Sequence, residues 1–232
     1  QFDQAFESVL QHQKGSAECS LRTRSGEQRH VMIQASAYHR NERFVHSRAT
    51  VFDLTERKQL EEKLRAQAMT DPLTGVFNRR YLQSQATIEM ARARRHNQPI
   101  ALITIDIDHF KHINDDYGHD AGDEVLKNFT RVVAELLRQE DLLCRVGGEE
   151  FAILLPNTTL TQATQVAERI RQTVSLNAVN ITEASLEKTL WLTASLGVTA
   201  LLNNEKSLKA ALKRADIGLY QAKEGGRNQV VV

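Results

Sequence analysis

The heptapeptide Arg145-Val146-Gly147-Gly148-Glu149-Glu150-Phe151 constrains this chain more than any other stretch. It stands between two apolar runs, Leu142 to Val146 and Phe151 to Leu155. Two such runs joined by Gly-Gly predict a β-hairpin with a two-residue turn at Gly147-Gly148. Glycine accepts φ > 0 without strain and lets a ligand approach the backbone. Two adjacent carboxylates then stand at the hairpin tip, ahead of an apolar strand. They repel each other, and a divalent cation would relieve that repulsion. A solvated polar turn is the other reading of the same residues.

The remainder of the chain reads as two parts joined by a helix. Phe2, Phe6, Val9 and Leu10 recur at helical spacing, which predicts an opening helix ended near Gly15. Three β segments follow at residues 18–23, 29–38 and 44–52, separated by Ser25-Gly26 and Arg40-Asn41-Glu42. A meander this short buries little core by itself. Thr55 to Met69 predicts a helix in which Glu61 and Arg65 are spaced to pair. Leu60 and Leu64 give it one narrow apolar edge, which suits a two-helix coiled coil. A plain interdomain helix is the alternative. Pro72 marks the boundary that follows, because the residue before a proline avoids helical geometry.

The second part begins at about Thr70, with a turn-rich start and then a helix to about Asn97. Ile100 to Ile107 is a nearly continuous apolar run, as expected of a central strand covered on both faces. It ends in Asp106-Ile107-Asp108, and carboxylates at the end of a buried strand are costly unless solvated or bound. A short helix from Phe110 to Tyr117, a turn around Gly118 and a helix from Glu124 to Gln139 lead into the hairpin. Beyond it come a helix over 161–176, a strand over 190–200, a helix over 207–223 ended by Gly225-Gly226, and an edge strand over 229–232. Alternating helices and strands with one hairpin predict an α/β (α+β) domain with a mixed sheet.

If the strands carrying Asp106 and Glu149-Glu150 are neighbours, three carboxylates converge at one edge. Oxygen-only donors suit Mg²⁺ or Mn²⁺. Mg²⁺ held by one or two carboxylates shares its other positions with phosphate oxygens and water, which points to nucleotide chemistry. Lys111, Lys223 and Arg227 could meet phosphate charge, or else are solvated surface residues. His109, His112 and His119 match no standard metal-ligand spacing.

The net charge of +1 offers no general case for nucleic-acid or membrane partners. Cys19 and Cys144 are isolated, so reduced structural thiols are expected. No apolar run approaches the roughly 18 residues needed to cross a bilayer, and no signal peptide is visible. The chain begins mid-pattern and reads as a piece of a longer protein. A cytoplasmic location is expected for this piece, with membrane anchoring of the parent left open.

Residues 70–232 resemble a GGDEF domain, the catalytic domain of diguanylate cyclases. The resemblance rests on Asp71-Pro72-Leu73-Thr74-Gly75, Asp106-Ile107-Asp108-His109-Phe110-Lys111, Asn114-Asp115, Gly118-His119-Asp120-x-Gly122-Asp123, the Arg145 heptapeptide, Ser195-Leu196-Gly197-Val198, Ala215-Asp216, and Tyr220 to Lys223 through Gly226-Arg227-Asn228. The signature is the Gly-Gly-Glu-Glu-Phe variant. Residues 1–57 resemble the C-terminal half of a PAS sensor domain in the Asp53-x-Thr55 exit and the three-strand pattern. The organisation implied is a partial PAS domain over 1–56, a signalling-helix linker over 57–70 and a GGDEF domain over 71–232. That domain's fold would be similar to the palm of nucleotide cyclases and polymerases.

The resemblance further implies roles. Asp106, the backbone carbonyl of Ile107, Glu149 and Glu150 would hold Mg²⁺. Asn114 and Asp123 would read guanine, since a carboxylate accepts from its N1–H and N2–H groups. His119 would lie near the nucleotide. Backbone groups of Phe110 and Lys111, with the Gly147-Gly148 turn, would cradle phosphates. Lys111, Lys223 and Arg227 would offset charge on the leaving pyrophosphate. Glu149 is the candidate base for the 3′-hydroxyl, with a metal-bound path as the alternative. The reaction would condense two GTP into cyclic di-GMP and two pyrophosphates across a homodimer, one GTP per domain. Arg138-Gln139-Glu140-Asp141 stands where the family's RxxD product-inhibition site lies, with Arg169 in the position of a supporting arginine. Two other classes stay open: a catalytically silent receptor for GTP or cyclic di-GMP, and a sensory or dimerisation module with a vestigial cyclase.

Overall fold

The protein is represented by a computed structural model that describes residues 14–41, 43–183, 186–202, 204–205 and 207–232. The opening helix expected around Phe2 to Leu10 lies outside the described residues. The chain divides into two compact units, Gln1–Ala66 and Gln67–Val232.

The first unit is an antiparallel meander of β1 (Lys14–Arg22), β2 (Gln28–Arg40) and β3 (Arg43–Asp53), paired in that order. Val31 is buried, whereas Phe44, Val45, Val51 and Phe52 along β3 are exposed. The meander leaves through Asp53-Leu54-Thr55 into α1 (Thr55–Met69). Asp53 Oδ1 accepts from Thr55 N at 2.9 Å, and Arg29 Nη1 donates to Asp53 Oδ2 at 2.9 Å. The Thr55 hydrogen bonds, then Arg29, hold the Asp53 carboxyl down to about 2. Thr55 Oγ1 also accepts from His30 N at 3.0 Å, so the first turn of the helix is tied to β2. Leu60 and Leu64 of α1 are exposed. Glu61 pairs with Arg57 at 3.0 Å; the expected partner Arg65 has its side chain outside the described residues.

The second unit runs β4 (Phe77–Asn78), α2 (Arg79–His96), β5 (Ile100–Ile107), α3 (Phe110–Ala134), β6 (Leu142–Gly147), β7 (Glu150–Pro156), α4 (Leu160–Leu176), β8 (Ala178–Glu183), β9 (Leu186–Trp191), β10 (Ala194–Ala200), α5 (Leu208–Glu224) and β11 (Val230–Val231). Six strands form one mixed sheet in the order β11-β10-β5-β7-β6-β4. β5 is buried along its whole length, as its apolar run predicts. Its alternate residues feed two cores. Ile103 and Ile105 join Phe129 of α3 and Ile170 of α4 on one face. Ile100 and Leu102 join Leu82 of α2 and Ala215 of α5 on the other. The sheet is therefore covered by helices on both sides, and Cys144 is an inert core residue whose thiol burial pushes up to about 12.

The short helix from Phe110 and the break at Gly118, a kink within α3 (φ 84, ψ 167, outside helical geometry), lie where expected. Three expectations are corrected. The second helical stretch of α3 resumes directly after Gly118 instead of at Glu124. It ends at Ala134 and not near Gln139. Leu136 and Leu137 prolong the apolar spacing, but the chain there turns to close Arg138 onto Asp141. The strand expected over 190–200 is two strands broken at Leu192-Thr193; β9 pairs with β8 in a separate hairpin, whose Val179 and Ile181 are buried. The signature turn lies one residue later than expected: Gly147 pairs with Glu150, so Gly148 (φ 40) and Glu149 form the loop. A bulge between Arg145 and Gly147 shifts the register.

α5 lies hard against β10. A Cβ on Gly197 would stand 1.9 Å from the Ala215 carbonyl oxygen and 2.5 Å from Leu219 N. Both are backbone atoms of a packed helix, so neither can step aside. Gly197→Ala is expected to destabilise the second unit by about 1–3 kcal/mol, read as a lower denaturant midpoint; an unchanged midpoint would refute this close approach.

Candidate active site

β5 and β7 run antiparallel with Asp106 directly opposite Glu150. Cross-strand partners project to the same face, which here is the α5 face. Ile107 N reaches the Glu149 carbonyl at 3.4 Å, so the pairing continues to the loop. Asp106 is only 5% exposed. From the last turn of α5, Lys223 Nζ comes within 2.7 Å of Asp106 Oδ2. Burial pushes the Asp106 carboxyl above its ordinary range; Lys223 pulls it back, and the nearby Glu149 and Glu150 push it up again. Its upward shift means that burial and like charge outweigh the ion pair.

The three carboxylates do not converge as tightly as the sequence suggested. Among the described residues, no three His, Cys, Asp or Glu side chains close into a metal-holding group. Glu149 sits in the loop and Glu150 at the start of the strand, and both act on the Asp106 carboxyl through their charge. The donor set still fits a hard divalent cation that keeps several outside ligands. Its members are all oxygens, and a protein cation already sits on the most buried of them.

The next wall is α3. His109 takes a left-handed conformation (φ 58) and turns the chain off the sheet. Phe110 is then buried, while Lys111 is exposed. Beyond the kink, Gly122 is so close to Asn114 that a Cβ there would lie 2.0 Å from Asn114 Oδ1. The kink thus brings the Asn114 amide alongside the residue preceding Asp123. Both are half-buried, and His119 is exposed at the kink. Arg227 is exposed in a left-handed turn (φ 64) after α5. Among the described residues, no hydrogen bond or ion pair ties the side chains of Lys111, His119 or Arg227 to Asp106.

Two supports were not assigned from sequence. Arg145 Nε donates to the Gly148 carbonyl at 2.8 Å, and its Nη1 donates to Asp71 Oδ1 at 3.0 Å. Asp71 Oδ1 also accepts from Thr74 N and Thr74 Oγ1 at 2.9 and 2.7 Å. The start of the domain is thereby fastened to the signature loop. Burial is the largest influence on Asp71 and raises it, yet the bonds from Thr74 and Arg145 together hold it below its ordinary range.

The second support is Asp108, which is 4% exposed. It accepts from Thr193 Oγ1 at 2.7 Å, Ser195 Oγ at 2.7 Å and Asn228 N at 3.0 Å. Asn228 Oδ1 in turn accepts from Arg171 of α4 at 2.9 Å. A carboxylate satisfied this fully is a fastener that fixes the segment after Lys223. An Asp two residues from a candidate ligand, at the same strand end, was the only sequence hint.

A separate polar site lies at the end of α3. Arg138 N donates to Asp141 Oδ2 at 2.9 Å, and Asp141 N donates back to the Arg138 carbonyl at 3.1 Å. Arg169 of α4 reaches the Leu136 carbonyl at 2.8 Å. Burial raises the Asp141 carboxyl, with Arg138 and Arg169 both opposing. Asp141 Oδ1 is buried with no partner among the described residues. The three predicted residues are therefore brought together. A groove of about 650 Å³ runs along α4 and includes Arg169. It contains none of the acidic corner, whose chemistry, not its volume, marks it out.

The model of the family described as diguanylate cyclase, GGDEF domain, matches residues 68–229. The response regulator PleD of Caulobacter vibrioides is 46% identical over 164 residues, covering 71% of this chain and 36% of its own length. Diguanylate cyclase DgcP of Pseudomonas aeruginosa is 37% identical over 225 residues, covering 97% of this chain and 31% of its own. The chain thus spans about a third of the length of these relatives. The coiled coil and GGDEF domain of DgcB from Caulobacter crescentus, in complex with c-di-GMP, superposes with a TM-score of 0.71 at 31% identity, over 76% of this chain and 91% of that one.

The Asp71–Arg145 pair yields a test of the support around the loop. Its side chains are only 18% and 15% exposed, so Arg145→Ala is expected to cost about 1.5–3 kcal/mol. Asp71 is depressed in the folded state, so its contribution is present at neutral pH and is lost on acidification through that lowered value. Chemical denaturation across pH should show the wild-type advantage over Arg145→Ala shrinking toward acid; a constant difference would dismiss the contact.

Proposed function

The chain belongs to the GGDEF family, and from that membership and the acidic corner we propose that its second unit condenses two GTP into cyclic di-GMP and two pyrophosphates. The observation that carries the proposal is Asp106 facing Glu150 across β5 and β7 with Lys223 at hydrogen-bond distance. A solvated turn has no need of a buried carboxylate beside two further acids. The DgcB domain to which this chain is similar is in complex with c-di-GMP, which supports the same product class.

Asp106, the Ile107 carbonyl, Glu149 and Glu150 form the donor set for Mg²⁺ or Mn²⁺. That ion would supply charge neutralisation at the triphosphate and a lowered barrier to 3′-hydroxyl ionisation. The chain's own residues do the rest. Asp123 accepts from guanine N1–H and N2–H with Asn114 beside it; adenine lacks both donors, which leaves the carboxylate unpaired with ATP. Phe110 and Lys111 backbone groups and the Gly147-Gly148 segment hold phosphates. Lys111, Lys223 and Arg227 meet the charge that develops on pyrophosphate. Glu149 receives the proton of the 3′-hydroxyl. Each domain presents one GTP, so two copies must face each other before either hydroxyl has an α-phosphorus to attack.

Residues 1–56 are proposed as the C-terminal part of a PAS sensor and 57–70 as the signalling linker. The exposed Leu60 and Leu64 edge of α1 suits pairing with a second copy. Such pairing would set how the two cyclase units meet. Arg138, Asp141 and Arg169 are proposed to bind product and restrain the enzyme. Asp141 Oδ1 offers an acceptor to a guanine edge, and the two arginines offer a clamp for phosphate.

Two measurements test this. Turnover of GTP with Mg²⁺ should rise more steeply than linearly with protein concentration, while ATP yields no cyclic product. Asp106→Ala and Glu149→Ala should each reduce it at least about a hundredfold with the fold retained. Product formed by either variant at the wild-type rate rejects the assignment. Separately, Arg138→Ala should leave initial turnover intact and raise the product concentration giving half inhibition by at least about tenfold; a superimposable inhibition curve removes the regulatory site.

A further inference from the structure

Asp106 is a buried carboxylate beside two further acids, and a side chain of the protein already neutralises it. Lys223 Nζ lies 2.7 Å from Asp106 Oδ2, with the lysine side chain 33% exposed and the aspartate 8%. The lysine comes from the last turn of α5, just before Gly225 and Gly226, and the helix itself is fixed on β10 through Gly197. Its ammonium is a compact point charge on a flexible stem, able to move several ångströms without moving the helix. A metal ion and this ammonium compete for the one carboxylate, because two cations held within a few ångströms of each other on Asp106 weaken each other's hold.

We propose that Lys223 is a resident counter-ion of the catalytic carboxylates, which excludes a bare divalent cation and gives up Asp106 only when a nucleotide's phosphates arrive to receive its ammonium. The proposal rests on the metal-binding reading above and deepens it by assigning an order of loading. Phosphates do two things at once in this scheme. They supply the oxygens that complete the ion's coordination, and they offer Lys223 an alternative anion. The corner therefore avoids two costly states, an unneutralised acidic cluster and a doubly cationic one. A divalent cation alone gains the carboxylates only by expelling the lysine into water, so it binds poorly until a triphosphate accompanies it.

The role predicts effects of opposite sign. Removing the ammonium should strengthen binding of the ion alone and weaken binding of the triphosphate. A lysine acting only as a phosphate contact would leave the first unchanged, and one acting only as a structural prop would lower both.

The experiment uses the whole chain and Mn²⁺ as probe. Free Mn²⁺ is followed by electron paramagnetic resonance, with and without a non-hydrolysable GTP analogue. Lys223→Met and Lys223→Gln are compared with wild type; the Gln variant keeps a hydrogen bond to Asp106 without the charge, and it decides the matter if Lys223→Met does not fold. We expect both folded variants to bind Mn²⁺ alone about tenfold more tightly than wild type, and to gain more melting temperature from Mn²⁺ alone. The double variant Asp106→Asn/Lys223→Met should lose that gain. Mn²⁺ affinity equal to or below wild type in the folded variants, with analogue-dependent Mn²⁺ binding intact in wild type, overturns the counter-ion role and leaves the metal reading standing. Failure of the wild type to bind Mn²⁺ even with the analogue overturns both.

Discussion

A negative charge buried at the end of a central strand has to be answered by a positive one, and this domain is built around that requirement. β5 is covered by helices on both faces, so Asp106 has little water to rely on. Lys223 supplies the answering charge across 2.7 Å. To deliver it, α5 must lie close enough to β10 that only glycine is accommodated at position 197. The sheet order places β7 beside β5, which sets Glu150 opposite Asp106 and Glu149 in the loop just beyond. Burial and the two glutamates keep this site under electrostatic tension even with the lysine present. That tension is what makes it receptive to a more highly charged cation bringing its own anionic ligands.

Around that corner Arg145 and Asp108 are hydrogen-bonded, and they hold the reactive groups in place. Arg145 spans from the Gly148 carbonyl to Asp71, whose second duty is to close its own turn on Thr74. Asp108 collects three donors from β10, its preceding loop and Asn228. Both carboxylates carry aspartate's charge without exposing it for chemistry. Asp106, only two residues from Asp108, has a single partner among the described residues, on a flexible stem. The contrast between a carboxylate locked by three fixed donors and one met by a flexible ammonium separates framework from working group.

The sequence disclosed much of this because the strongest signals are local. The nearly continuous apolar run of β5, the start of α1 at Thr55 and the glycine pair after α5 all appear where their residues predict. The meeting of Asp106 and Glu150 was also legible, since it needs only that two identifiable strands be neighbours; the tight cluster of three carboxylates was not realised among the described residues. What stayed hidden depends on contacts between distant residues. Arg145 reads as one more basic residue until Asp71, 74 positions earlier, arrives beside it. The loop moved from Gly147-Gly148 to Gly148-Glu149 because a bulge consumes one residue upstream, and nothing in the heptapeptide marks it. Leu136 and Leu137 continue the helical spacing past Ala134, yet the chain there bends to close Arg138 on Asp141. The β8–β9 hairpin was missed because the strands are short and no Gly or Pro frames them; Val179 and Ile181 are buried only by packing on a helix placed elsewhere.

The pairing of β5 with β7 also dictates which changes the signature loop can accept. Side-chain direction reverses with every step along a strand. Were one residue inserted into or deleted from the span between Gly147 and Glu150, the partner of Asp106 would slip by one place. Phe151 or its neighbour would then be aimed at the carboxylates, and an acid would be driven into the hydrophobic interior on the far side of the sheet. Exchange of residue type in this loop perturbs one contact; a change in its length inverts an entire strand. The loop is held more strictly to its residue count than to its composition.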